Sequence, residues 1–151
     1  MVTGQKTTRR DRVGQMHAGT ARGHNRTRAD HAREIAEDYV ELIDDLIRET
    51  GEARAVDIAS ELGVSHVTVS NTIRRLKRNR LVTSEPYRAI FLTPAGKKLA
   101  ETARNRHTLV LDFLIALGVP EKDAETDAEG IEHHLSSATM DAIRRFLRRR
   151  R

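Results

Sequence analysis

Apolar residues recur at helical spacing over residues 32–49, where Ile35, Tyr39, Leu42, Ile43 and Leu46 share one face and Gly51 marks a stop. Residues 55–63 repeat the pattern on a smaller scale through Val56, Ile58, Ala59 and Leu62, ending at Gly63. Ser65 is then placed to cap a helix running to about Arg80, with Val69, Ile73 and Leu76 as its apolar seam. Helix, Gly-containing turn and helix in that order predict a helix-turn-helix. Two short β-prone runs follow, 81–84 and 89–92, separated by Glu85-Pro86-Tyr87-Arg88, and a hairpin directly after a helix-turn-helix makes a winged helix.

Thr93 and Pro94 open a helix of about 24 residues, twice the typical length, patterned through Leu99, Leu109, Val110, Phe113 and Leu117 to Gly118. Pro120 opens another helix, and Ser136 or Ser137 begins a last one with Met140, Ile143, Phe146 and Leu147. Residues 110–147 are too few to close a core alone, so their apolar faces are expected to pair with a second copy. Residues 1–31 carry almost nothing apolar and read as a mobile basic arm, disordered because it cannot bury enough surface to offset the entropy of ordering. The predicted fold is therefore mainly α with a small β-hairpin wing. It divides into the arm at 1–31, a winged helix-turn-helix DNA-binding domain at 32–95, and a C-terminal helical domain at 96–151.

Composition changes this picture at two points. Of the 151 residues, 38% are apolar, with no Trp, three Phe and two Tyr, so the core must come from Leu, Ile and Val. The absence of cysteine removes disulfides and thiolate chemistry, leaving oxygen and imidazole donors for any metal. No apolar run approaches the ~20 residues of a membrane span, and the N-terminus lacks the apolar core of a secretory signal, so a cytoplasmic protein is expected.

The net charge of +5 is unevenly spread. Residues 1–30 hold seven Lys and Arg against Asp11 and Asp30, and residues 144–151 hold six Arg and no acid. Residues 31–143 thus carry the other 14 of the 27 bases but 20 of the 22 acids. Basic ends suit nucleic acid and an acidic middle suits a cation, although solvated charged faces explain both equally simply.

Candidate DNA contacts cluster on the second helix of the helix-turn-helix. Val67, Asn71, Arg74, Arg75 and Arg78 lie opposite the apolar seam, and Ser65 and Thr68 at the helix start and Arg88 in the wing turn join them. Asn suits adenine edges, Arg guanine edges or phosphates, and an apolar group a thymine methyl. A generic amphipathic helix also has a basic outer face.

The second candidate is Glu129-Gly130-Ile131-Glu132-His133-His134. Read as helix at about 100° per residue, Glu129, Glu132 and His133 fall within an arc of roughly 100°, so two carboxylates and an imidazole can converge. Three side chains do not fill the six positions of a hard divalent cation, so further ligands must come from elsewhere. The first helix carries an acidic row, Glu34, Asp38, Glu41 and Asp45, in which a pair such as Asp38 and Glu41 could supply them. Solvated carboxylates remain the alternative for both stretches.

Together, Glu37-Asp38-Tyr39-Val40-Glu41, the winged helix, Asn105-Arg106-His107 and the run from Asp127 through Glu129-Gly130-Ile131-Glu132-His133-His134 to Ser136 resemble the manganese transport regulators of the diphtheria toxin repressor family. The resemblance covers about residues 32–147. It implies a dimeric, metal-activated repressor that binds double-stranded, palindromic operator DNA and whose C-terminal helical domain serves dimerisation and metal binding. The SH3-like third domain of longer iron-responsive members has no counterpart here. Residue by residue, it places the metal ligands at Asp38, Glu41, His107, Glu129, Glu132 and His133, holding Mn²⁺, two ions per subunit. Iron-responsive relatives have Met at the position of Asp38 and Cys at that of Glu129; carboxylates there favour the harder ion.

Two rival readings remain. A winged-helix regulator that is metal-independent, or responds to iron or zinc, would use the acid and His cluster structurally. A metallohydrolase would need a bound water and a nucleophile or base motif, and the chain has no HExxH, no Ser or Cys nucleophile motif and no Gly-rich phosphate loop.

Overall fold

The computed structural model describes the backbone of residues 9–85 and 88–150 and the side chains of 28–85 and 88–150. Residues 1–33 and 34–151 form two compact units, and the winged helix and the helices after it all belong to the second.

Helix α1 is Arg9–Thr50. Its second half buries Tyr39, Val40, Ile43 and Leu46, the face that the apolar spacing predicts. Helix α2 (Ala55–Leu62) stops where Gly63 turns left-handed at φ +62°, a conformation open to glycine at no steric cost, and the Gly63 N–H closes on the Ala59 and Ser60 carbonyls. Helix α3 (His66–Arg78) starts at the Ser65 cap, whose hydroxyl accepts the Thr68 N–H at 3.1 Å. Strands β1 (Val82–Ser84) and β2 (Ile90–Leu92) pair antiparallel with Val82 opposite Leu92 and Ser84 opposite Ile90. The Ile90 N–H also donates to the Ala53 carbonyl at 2.8 Å, fastening the wing to the entry of α2. Pro86 and Tyr87 of the wing turn lie outside the described residues.

Helix α4 (Pro94–Leu117) begins at Thr93, whose hydroxyl accepts the Gly96 N–H and donates to the Arg80 carbonyl at 2.7 Å. This seats the first turn of α4 against the chain leaving α3. The approach is close enough that a Cβ on Gly96 would lie 2.0 Å from the Leu81 carbonyl oxygen. One core joins α1, α2, α3, the wing and the start of α4 around Ile43, Ile58, Val69, Leu76, Ile90 and Ala100. A second, thinner cluster holds α4 to helices α5 (Glu121–Ile131) and α6 (Ser137–Arg150) through Val110, Ala128 and Met140. Phe113 and Phe146 add an edge-to-face contact with ring centroids 5.4 Å apart. Ile115, Leu117 and Ile131 of this half are exposed.

Two expectations need correction. Residues 1–8 of the expected arm lie outside the described residues, but α1 carries helical backbone from Arg9 rather than from about residue 32. A helix satisfies its own backbone bonds without a core, and once a packed stretch supplies the costly nucleus, turns add cheaply where no proline intervenes; the first proline is Pro86. The acid and His stretch is also not one continuous helix. Helix α5 ends at Ile131, and Glu132–His134 form a single 3-10 turn, the tighter winding common at helix ends.

Candidate metal centre and nucleic-acid interface

The 3-10 turn decides what each of its side chains can reach. Glu132 points into the protein, with a side chain 3% exposed, and His133 is nearly as buried, whereas His134 is exposed 3.5 Å from Glu34. Glu132 meets His107 of α4, with Oε2 2.7 Å from Nδ1, and Glu129 of α5 stands 3.7 Å from the same nitrogen. His133 faces the other way, toward α1. Its Nε2 lies 3.5 Å from Asp38 Oδ1 and 3.4 Å from Glu132 Oε1. Glu41 makes no direct contact with these groups but is close enough to feel the charges of Glu132 and His107. Five of the six groups singled out above, Asp38, His107, Glu129, Glu132 and His133, therefore meet where α1, α4, the end of α5 and the 3-10 turn converge, with Glu41 nearby but not in contact.

Burial pushes the carboxyls of Asp38, Glu41 and Glu132 up from their usual values. Neighbouring acids add to this: Glu129, Glu37 and Glu34 act on Asp38, and Glu132 and Asp45 act on Glu41. The facing imidazoles, and Arg104 beside Glu41, offset only part of it.

Among the described residues no group of three or more His, Asp and Glu side chains is arranged to hold a metal ion, and His107 and Glu132 hydrogen-bond to each other. The Asp38–His133, Glu132–His133 and Glu129–His107 pairs stand 3.5, 3.4 and 3.7 Å apart, the first two at His133 Nε2 and the third at His107 Nδ1.

Sequence reasoning missed the residues that hold this site in place. The Glu37 side chain is 5% exposed, and its Oε2 takes Arg106 Nη2 at 2.7 Å and His133 Nδ1 at 3.0 Å. Farther along, Arg104 bridges Asp44 and Asp45 of α1, the former at 3.0 Å. The alternating acids of α1 and the arginines spaced along α4 were the available signal.

The candidate DNA contacts divide by exposure. Val67, Asn71, Arg74 and Arg78 are exposed along one stripe of α3, and Ser65, Thr68 and Arg88 are exposed as well, while Arg75 is half-buried. Arg74 Nη1 donates to Asn71 Oδ1 at 3.0 Å, which leaves a second lone pair on Oδ1 and both Nδ2 protons for other partners. Lys77, which sequence reasoning passed over, donates from Nζ to the Ser84 carbonyl and ties α3 to the wing. A groove between α2, α3 and the wing is lined by Arg54, His66, Ser70, Arg74, Lys77 and Arg88.

Comparison with known proteins agrees with this division into two parts. Residues 32–90 match the family described as Iron dependent repressor, N-terminal DNA binding domain, and residues 93–151 match Iron dependent repressor, metal binding and dimerisation domain. The chain is 52% identical over 124 residues to the Transcriptional regulator MntR of Escherichia coli O6:H1, covering 82% of this chain and 80% of that one. It is 43% identical over 107 residues to the HTH-type transcriptional regulator MntR of Geobacillus thermodenitrificans, covering 71% and 76%. Among solved structures, a manganese-dependent transcriptional repressor in complex with manganese superposes with a TM-score of 0.63 at 32% identity over 72% of this chain. The manganese regulator SloR gives a TM-score of 0.65 at 27% identity over 75%. This chain spans only 50% and 53% of those two. The chain belongs to the iron dependent repressor family, with the winged helix as its DNA-binding part and the helices after it as its metal-binding and dimerisation part.

Proposed function

We propose that the chain is a Mn²⁺-responsive transcriptional repressor that binds operator DNA as a homodimer and controls manganese transport genes. The observation that carries this reading is that Asp38, on a helix of the winged-helix core, lies 3.5 Å from His133 of the other half, where His107, Glu129 and Glu132 gather and whose charges reach Glu41 on the same helix. A bound ion would supply positive charge to carboxylates of which Glu132 is buried and Glu41 partly so. Asp38 and Glu41 act from the DNA-binding side, and Glu129, Glu132, His107 and His133 from the dimerisation side. Joining the two sides fixes how the α3 helices of a dimer are spaced, which is the quantity a palindromic operator reads.

The donor set is oxygen and imidazole without sulfur, which suits Mn²⁺; because Mn²⁺ sits low in the affinity order, selectivity rests on coordination geometry rather than tightness. Four carboxylates, able to bridge, suit two ions per subunit.

The test begins with selection of an operator from random duplexes in Mn²⁺, followed by operator affinity with Mn²⁺, Fe²⁺, Zn²⁺ or chelator. A palindrome should emerge, with half-sites about one helical turn apart, and chelation should weaken binding. An operator affinity that chelation leaves unchanged would favour the reading in which the cluster only braces the fold.

A further inference from the structure

Glu37 is not among the six candidate ligands, yet it is more deeply buried than most of them. A carboxylate taken out of water needs compensation, and here a guanidinium from α4 and an imidazole from the 3-10 turn supply it through one oxygen. Arg106 is itself only 15% exposed, and its Nε is buried without a hydrogen-bond partner. Its side chain is therefore committed to Glu37 even though one of its own donors goes unsatisfied.

The consequence falls on His133. A carboxylate only accepts hydrogen bonds, so the Nδ1 that lies 3.0 Å from Glu37 carries the ring proton. In the neutral ring this leaves Nε2 bare, and Nε2 is the nitrogen turned toward Asp38 and Glu132. The second partner of a ligating imidazole fixes its tautomer and orientation and raises its basicity as a ligand.

Resting on the metal-responsive reading above, we propose that Arg106 and Glu37 form a positioning relay from α4 through α1 to the 3-10 turn. The relay holds His133 with its bare Nε2 toward the metal, so that Arg106 sets metal affinity without touching the ion. It also crosses from the dimerisation half to the winged-helix half and back, so it braces the junction that the metal is to lock.

The test uses the full-length dimer and three variants: Arg106→Gln, Arg106→Lys and Glu37→Gln. In metal-free protein at about pH 8, where an ordinary imidazole is neutral, long-range ¹H–¹⁵N NMR reads the His133 tautomer, and calorimetry reads Mn²⁺ affinity and stoichiometry. The parent should show the Nδ1–H form. Arg106→Gln should mix the tautomers and weaken Mn²⁺ binding by about 10- to 100-fold at unchanged stoichiometry and dimer mass, and Arg106→Lys should restore most of both. Should Arg106→Gln fail to fold, Glu37→Gln is expected to lose the tautomer preference and the affinity together. The relay is overturned by a parent with Nε2–H, or by a folded Arg106→Gln or Glu37→Gln that keeps parental tautomer and affinity within about twofold. A parent that binds no Mn²⁺ defeats the metal reading instead, and the tautomer measurement then still decides the relay.

Discussion

Glu41 and Glu132 hold their charge at a cost, because burial raises both carboxyls, Glu132 raises Glu41 further and Glu129 raises Glu132. A carboxyl raised in the folded state keeps a proton that the unfolded chain releases, so its contribution to stability falls as pH climbs from the ordinary value toward the raised one. At neutral pH these groups therefore weaken the metal-free fold, and either a proton or a cation relieves them. Glu41→Gln should accordingly melt above the parent in chelator at pH 7, by a margin that shrinks as pH falls toward the ordinary glutamate value of 4.5. Thermal unfolding against pH checks this; a variant less stable than the parent at pH 7 would mean Arg104 outweighs the repulsion. The six candidate positions were proposed from the sequence through residue types that match a family pattern. Glu37 and Arg106 were not, since burial of a charge depends on partners that distant segments supply: His133 lies 96 positions from Glu37.

Among the elements, α3 and the start of α4 carry the sharpest expectations. Asn71 faces outward opposite the buried Val69, Ile73 and Leu76. A bidentate contact there discriminates between bases by about 1–3 kcal/mol, so Asn71→Ala should lose operator preference more than random-duplex affinity. Arg78→Ala, a loss of phosphate contact, should weaken both duplexes alike and reduce the salt dependence. Binding titrations on the two duplexes at several salt concentrations separate these outcomes. At α4, Gly96→Ala would drive a methyl group into the Leu81 carbonyl, and overpacking of that kind costs about 1–3 kcal/mol, to be read by chemical denaturation. Local chemistry made most of these elements legible: Ser65, Thr93 and Gly63 act within a few residues of themselves and stand where the spacing places them. The helical backbone from Arg9 and the 3-10 turn at Glu132 were not legible, because both begin where composition gives no stop or start signal.

On the scale of the whole molecule, one junction joins the two halves: α1 of the winged-helix core meets α4 and the 3-10 turn through acids, imidazoles and arginines. The helical half buries few large side chains of its own and leaves Ile115, Leu117 and Ile131 exposed, which suits a part completed by a second copy. Nothing in that apolar face depends on His133, so the dimer and the metal response are separable by mutation. The most direct measurement is operator affinity against free Mn²⁺ for the parent and for His133→Ala, with sedimentation confirming that both remain dimers. The parent's affinity should rise with Mn²⁺ and level off as the site fills, while His133→Ala should stay near its metal-free value across the same range. A variant that follows the parent's curve, or a parent whose curve is flat, would contradict the claim that these residues turn metal binding into DNA binding.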